Sequence, residues 1–559
     1  MTVTTEVKGQ NHPNAENRLQ FLAPVPVLLA DQERRAKKPA TAPVSVQTIL
    51  AIPERSQRIA ALIDALDDMQ ACQDGQPGGV YLGGGPVADA LVNEGGAAVE
   101  PLLTVVETDT RLTRSVSFHR DFFPNRNLLE VARAAYAILC RILQTSDFGP
   151  FPSGSDDQPL SEMEKRRLVV RKMRAYWQQN RGRSPEERWY RRLADDAATP
   201  SQWQEAAEAI IRPVDVNSEG GWISIPARKP GEMPRLSGEA LRKKTTPSVT
   251  QLMAKRVTQL AARTFDSTDE FQAQSAASQM ALCLAEWDMP AALPVLRVQI
   301  QHNRNLLTRQ KGGSVHSGYA GNVTVLVTRM TLARARGKDP QALVDYAAWV
   351  RGITPRQADT NCDRVLAPLW RYPHHPAIAA AAEWLFNDPH SPWIPLVQQG
   401  YSWGSEQLFT SPLLGVGAFR KQLLTGLANP VKAGVIKVAP GGRMDITLDA
   451  GWSTGVGQAQ DDPLGPKPGS QLAVRLCDVY AMYLSTRGVE CFPAFQPCWP
   501  LAERDKAIAA IVQVLRRYGE RFAADANQLS GYYDDGYARV EMQFPRLGHP
   551  ATEGDVTSG

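Results

Sequence analysis

Three groups of residues in this chain have types and spacings that chemistry could use. The first is the segment Lys165 to Arg192, where eleven Lys or Arg stand against two acids, Glu186 and Glu187. Tyr176, Trp177, Trp189 and Tyr190 are interleaved with them, which is what tracking a phosphate backbone and stacking on bases would require. The same segment also has the pattern of amphipathic helices. Val169, Met173 and Trp177 recur at i, i+4, i+8, and Trp189 and Leu193 continue the apolar stripe. That places the tryptophans in a core and leaves the arginines on solvated faces, paired with acids such as Asp195 and Asp196, so only weak, non-specific polyanion binding is expected.

The second group is His374 and His375, between Pro373 and Pro376, with Asp363, Tyr372 and His390 nearby in sequence. Adjacent side chains diverge on a helix, so this is not the i, i+4 pair of a helical zinc site. A turn alone could converge them, and the flanking prolines mark a helix-start loop. The third group is Trp403, Glu406, Trp499, Tyr532, Tyr533, Asp534 and Asp535. Aromatic faces for sugar stacking plus two carboxylates for acid–base work would suit a glycosidase or lyase, provided the carboxylates lie at the required separation, which sequence does not give. There is no GxGxxG fingerprint, Walker loop or HExxH, and no GxSxG elbow is read. No catalytic, cofactor-binding or metal residue is therefore assigned, and no cofactor is implied.

The elements that would hold these residues are announced by helix starts. Ser161/Glu164, Ser184/Glu187, Thr199/Gln202, Ser267/Glu270 and Thr354/Gln357 each have a hydroxyl residue that can cap a first turn and a Glu or Gln that can reach back. Pro185, Pro200 and Pro355 follow at the first helical position, where a missing N–H costs nothing. The chain is expected to be all-α, in many short pieces. Ile59, Leu62, Ile63 and Leu66 share one face, as do Trp203, Ala206, Ala207 and Ile210. Helices are expected over 87–106 and 128–143, and then near Val249–Arg263, Phe271–Glu286, Ala291–Gln301, Val323–Arg336, Gln341–Val350, Ala377–Phe386 and Phe419–Leu427. Val435–Val438 and Met444–Leu448 alternate about Gly441-Gly442 like a small β-hairpin, the one insertion, near 431–450.

These signals divide the chain into a flexible N-terminal arm (1–50), an N-terminal helical block (51–212), a connecting loop (213–247) and a C-terminal helical block (248–430). A hairpin and loop insertion (431–470), terminal helices (471–540, the first from Leu472) and a disordered tail (541–559) complete it. A formal charge of +4, from 62 basic and 58 acidic residues, is too balanced for a dedicated nucleic-acid binder. The seven cysteines are scattered, with no CxxC pair, and read as buried free thiols. No apolar run approaches the roughly 18 residues that span a bilayer, so no integral membrane segment is expected. Phe21–Ala30 has the length of a signal-peptide core with Arg18 before it, but Pro24 and Pro26 interrupt it and a polar leader with Glu6 and Glu16 precedes it. A cytoplasmic chain is favoured over an exported one.

Two segments resemble each other: Gly96-Ala-Ala-Val-Glu-Pro-Leu-Leu103 and Pro290-Ala-Ala-Leu-Pro-Val-Leu-Arg297, with a weaker echo at Pro376–Leu385. Each has a turn residue, an Ala pair and aliphatics at helical spacing, a pattern similar to the second helix of HEAT repeats. Asp109, Arg111 and Arg114 after the first segment resemble the Asp and Arg of HEAT inter-repeat turns. No regular period of about 40 residues runs through the chain. The resemblance implies an irregular HEAT-like α-solenoid or superhelix of helical hairpins; an irregular α-helical domain or toroid is the other architecture compatible with the pattern. The favoured function is a non-enzymatic interaction or scaffold protein that binds a protein, peptide or polymer partner on a helical-repeat surface. The alternatives are an all-α polysaccharide-active enzyme, a lyase or glycosidase with an aromatic and acidic cleft, and a nucleic-acid-binding helical-repeat protein.

Overall fold

Several helices begin at residues whose side chains cap the first turn. In the computed structural model, residues 24–37, 45–71, 80–118, 126–145, 148–149, 151–152, 161–211, 241, 246–263, 267–309, 317–358, 361–394, 412–449, 453–458, 464–487 and 492–528 are described. The expected connecting loop at 213–247 lies almost wholly outside the described residues, as do 1–23 and the tail at 541–559. The described chain is mostly helical. Ser161 accepts the Glu164 N–H while Glu164 takes the Ser161 N–H, and Ser184/Glu187 and Thr199/Gln202 form the same reciprocal pairs. Ser248/Gln251 adds a capping box that the sequence reading did not use.

The contacts divide the chain into two units. The first comprises residues 1–192 and 212–240 and the second 193–211 and 241–559, so the helix at Pro200–Ile211 goes with the helices that follow it. The first unit contains α1 (Val25–Ala36), α2 (Val46–Leu50), α3 (Arg55–Ala65), α4 (Pro86–Glu94), α5 (Gly96–Thr108), β1 (Leu112–Phe118), β2 (Arg126–Glu130), α6 (Val131–Leu143), α7 (Glu162–Asn180) and most of α8 (Pro185–Ala194). Part of the segment expected as an arm is thus helical, in α1 and α2. In this unit α3, α5 and α7 lie side by side, and α4 packs on α6. Their shared core is built on Leu62, Leu66, Leu91, Val99, Leu103 and Ile138.

The β1–β2 pair corrects the sequence reading, which placed only a connection before a helix at Leu128. The two strands are antiparallel, Leu112 opposite Glu130 and Phe118 opposite Arg126. β1 buries Thr113 and Ser115, and their hydroxyls bond the backbone: Thr113 donates to the Leu129 carbonyl at 2.7 Å and Ser115 to the Met69 carbonyl at 3.1 Å. Those bonds replace the apolar alternation that would have marked a strand.

The second unit runs through α9 (Pro200–Ile211), α10 (Val249–Ala262), α11 (Ser267–Trp287), α12 (Met289–Arg309), α13 (Ser317–Arg336) and α14 (Ala342–Val350). The short helices α15 (Pro355–Ala358), α16 (Cys362–Val365) and α17 (Ala367–Arg371), then α18 (Pro376–Asn387) and α19 (Gly417–Leu427), lead to a sheet, α20 (Leu476–Arg487) and α21 (Leu501–Gln528). Here α11 packs on α9, α10, α12 and α13, so a helix meets its next neighbour and the one after that. Trp203, on its expected stripe, is fully buried with the Arg256 guanidinium 4.3 Å from its ring centroid.

The expected lone hairpin is the centre of a four-stranded antiparallel sheet. β3 (Lys432–Val438) and β4 (Arg443–Leu448) pair as read, with Gly442 at φ 85° in the turn, but β5 (Ser453–Gln458) and β6 (Gln471–Arg475) flank them in the order β5-β4-β3-β6. Ile436, Met444, Ile446 and Val474 turn inward to the core. The helix expected from Leu472 therefore starts at Leu476. Asp478 decides this boundary: its carboxylate accepts the Arg475 N–H at 2.9 Å, closing the first turn after β6. The glycines of β5, Gly455 and Gly457, hid its alternation.

Among the described residues the cysteines Cys140, Cys283, Cys362, Cys477 and Cys498 are free and buried, and no helix is long and apolar enough to cross a membrane.

Candidate functional site

The outer face of α3, α5 and α7 carries two unlike grooves, with α5 between them. Positions 97, 100, 101, 104 and 108 of α5 form its exposed stripe, the consequence of burying Ala98, Val99, Leu102, Leu103, Val105 and Val106 on the other side. The groove between α3 and α5 encloses about 600 Å³ and is floored by Ile59, Ile63, Ala97 and Pro101. Pro101 has no N–H, so the carbonyl of Ala97 lacks the usual i+4 donor and leaves an acceptor in an apolar setting. The charges on the rim are fixed rather than free. Arg111 bonds Asp64 at 2.6 Å and Asp109 at 2.8 Å, and Arg55 bonds the buried Glu94 at 2.8 Å. The hydrogen bond from Arg58, reinforced by Arg55, holds the Glu94 carboxyl below its ordinary range even though burial pushes it up.

The groove between α5 and α7 encloses about 470 Å³, lined by Glu107, Glu164, Arg167, Leu168, Arg171 and Arg174. The capping box at Ser161 fixes the start of α7, and the buried stripe of Arg166, Val169, Val170 and Met173 sets its rotation, so these residues face outward. A close crossing with α5 is possible because Gly96 has no side chain: a Cβ there would stand 2.6 Å from the Trp177 indole. Arg174 bonds Glu100 at 3.0 Å, while Arg167 is 3.8 Å from Glu107. Among the described residues Arg171 and Lys172 have no side-chain ion pair or hydrogen bond.

The basic segment thus divides into inner and outer cations. Arg166 is buried against Glu130 and Glu162 and lies 5.1 Å from the Phe151 ring centroid; Arg188 donates to the Leu143 carbonyl at 3.0 Å and Arg192 to the Thr145 hydroxyl at 2.9 Å. Burial pushes the Arg188 guanidinium below its ordinary value. The aromatic residues Tyr176 and Trp177 pack on the core of the first unit, Tyr176 edge-on to Phe148 at 5.6 Å, and Trp189 is buried. Trp177 and Trp189 take the inward positions that the apolar stripe implied, Trp177 partly buried and Trp189 buried.

The other sequence-level groups lie only in part among the described residues. His375 occupies the N-cap position of α18 and His374 is exposed in the turn before it. The Asp363 side chain lies outside the described residues, and no group of three or more His, Cys, Asp or Glu that could hold a metal occurs among the described ones. Trp499 packs against the core of the second unit, 6.2 Å from the Phe495 ring. Trp403, Glu406, Tyr532, Tyr533, Asp534 and Asp535 lie outside the described residues. Two segments match G-x-S-x-G by residue type, which corrects the reading that the chain has no such pattern. Gly400–Gly404 lies outside the described residues, and in Gly451–Gly455 the serine, Ser453, begins β5 instead of sitting at the strand-to-helix turn that a nucleophile elbow needs.

Sequence reasoning also missed the α3/α5 groove. Its signal was present in Ile59 and Ile63 on a charged helix and in a proline inside α5, but only packing sets the two side by side. No family model, curated protein or solved structure matches this chain.

Proposed function

We propose that this protein is a non-enzymatic interaction scaffold whose partner docks on the α3–α5–α7 face. Within each unit the helices are read as an irregular, HEAT-like stack of hairpins, in keeping with their packing on the next helix and the next but one. The observation that carries the functional reading is the pair of adjoining grooves: an apolar floor with neutralised rim charges beside a cationic channel with an exposed leucine. Such a face offers desolvation in one half and charge selection in the other, the combination that protein recognition uses. Selection from a displayed random-peptide library against the full chain tests the reading. Binders are expected that lose binding to Ile63→Glu, to Leu168→Glu, or to both. A set of binders indifferent to both substitutions would place the recognition surface elsewhere.

A further inference from the structure

We infer that the groove between α5 and α7 receives an acidic peptide segment with a leucine-sized aliphatic anchor, an inference that rests on reading this face as a protein-binding surface. Leu168 is 39% exposed, and Arg171 and Lys172 follow it at i+3 and i+4, on the same side of α7. Those two cations have no counter-ion among the described residues, and Arg167 meets Glu107 only at 3.8 Å. The patch therefore has positive charge without a partner, arranged round an aliphatic side chain that is half in water. A carboxylate-bearing peptide satisfies both halves: its acids pair the cations, and its anchor removes Leu168 from solvent.

A nucleic acid fits the same patch less well. Its phosphates come at a fixed spacing and would pass Glu107 and Glu164, which line the groove, whereas a peptide can place neutral residues opposite them. Trp177 and Trp189, which could have stacked on bases, are committed to packing.

The test is fluorescence anisotropy on the full chain with three labelled probes. These are a synthetic peptide of acidic residues around a central leucine, the same peptide with alanine at the centre, and a single-stranded oligonucleotide of equal charge. The leucine peptide is expected to bind. Its affinity should fall about tenfold for Leu168→Asn, for the double variant Arg171→Ser with Lys172→Ser, and on replacing the central leucine by alanine, but not for Ile63→Glu in the neighbouring groove. Equal or tighter binding of the oligonucleotide, or indifference to Leu168, would overturn the inference in favour of charge alone. Absence of acidic-peptide binding, with library binders still dependent on Ile63, would overturn it while leaving the scaffold reading in place. Library binders indifferent to both grooves would remove the two together.

Discussion

Asp339 is held by Arg334 at 2.8 Å and Arg297 at 3.0 Å, both on one carboxylate oxygen, with the Gln341 N–H on the other at 3.2 Å. Burial pushes its carboxyl up, but the hydrogen bonds from Arg297 and Arg334 outweigh that and lower it from 3.8 to about 2. A carboxyl whose folded pKa is depressed stabilises the fold above its unfolded pKa and loses that contribution as pH falls through the folded one. The window is thus from about pH 4 down to about pH 2, and the contribution is about 2 kcal/mol. Asp339→Ala, which strands the buried Arg334 guanidinium beside Asp345 alone, is expected to cost about 3 kcal/mol near neutral pH. Urea melts of both proteins at pH 7 and pH 3 check it: the gap between them should narrow in acid, and a gap independent of pH would refute the linkage.

Among elements, the helix starts differ in how complete their caps are. At Ser184 the hydroxyl accepts the Glu187 N–H at 3.2 Å and Glu187 accepts the Ser184 N–H at 3.1 Å; the Thr199/Gln202 distances are 3.3 and 2.9 Å. At Thr354 the hydroxyl accepts no first-turn N–H: Gln357 accepts the Thr354 N–H at 2.9 Å and the Thr354 hydroxyl at 3.1 Å, while the Gln357 N–H goes to the Thr354 carbonyl. Ser184→Ala and Thr199→Ala should each cost about 0.5–2 kcal/mol, and Thr354→Ala less than either, because its hydroxyl satisfies no first-turn donor. Denaturant midpoints of the three variants measure this, and equal losses at all three would show that the hydroxyls act other than as caps. The same chemistry explains both a success and a failure of sequence reading. A cap and its return residue lie within one turn, so they are visible in the chain. At the start of α20 the return position holds Asp478 in place of Glu or Gln, and the cap position holds Arg475 in place of a hydroxyl residue, so the pattern does not find it.

On the scale of the molecule, each unit has a core of its own. Leu103 is fully buried in the first, and Phe419 is fully buried in the second, 4.8 Å from the Phe386 ring. Removing either side chain leaves a cavity, at about 2–5 kcal/mol for Leu103→Ala and about 3–5 kcal/mol for Phe419→Ala. Two units with separate cores are expected to melt as two calorimetric transitions, with each substitution lowering only the transition of its own unit. A single transition shifted by both would mean that the cores unfold together.

The amino-acid sequence by itself determined most helix starts, the turn at Gly441-Gly442 and the inward fate of Trp177, Trp189 and Trp203, because each depends on residues within a turn or two of helix or hairpin. Tertiary structure decided what depends on distant partners. β1 needs β2 and the Met69 carbonyl for its buried hydroxyls; β5 and β6 need the hairpin between them to supply backbone partners. The division of the arginines was also beyond the sequence. Arg166 and Arg171 stand on one helix in similar company, yet Arg166 is buried because Glu130, on another element, meets it, and Arg171 faces outward with no such acid opposite. Charge and helical period mark which residues can face water. Whether a given cation is spent inside the fold or left for a partner is settled only when a counter-charge from elsewhere in the chain is packed against it.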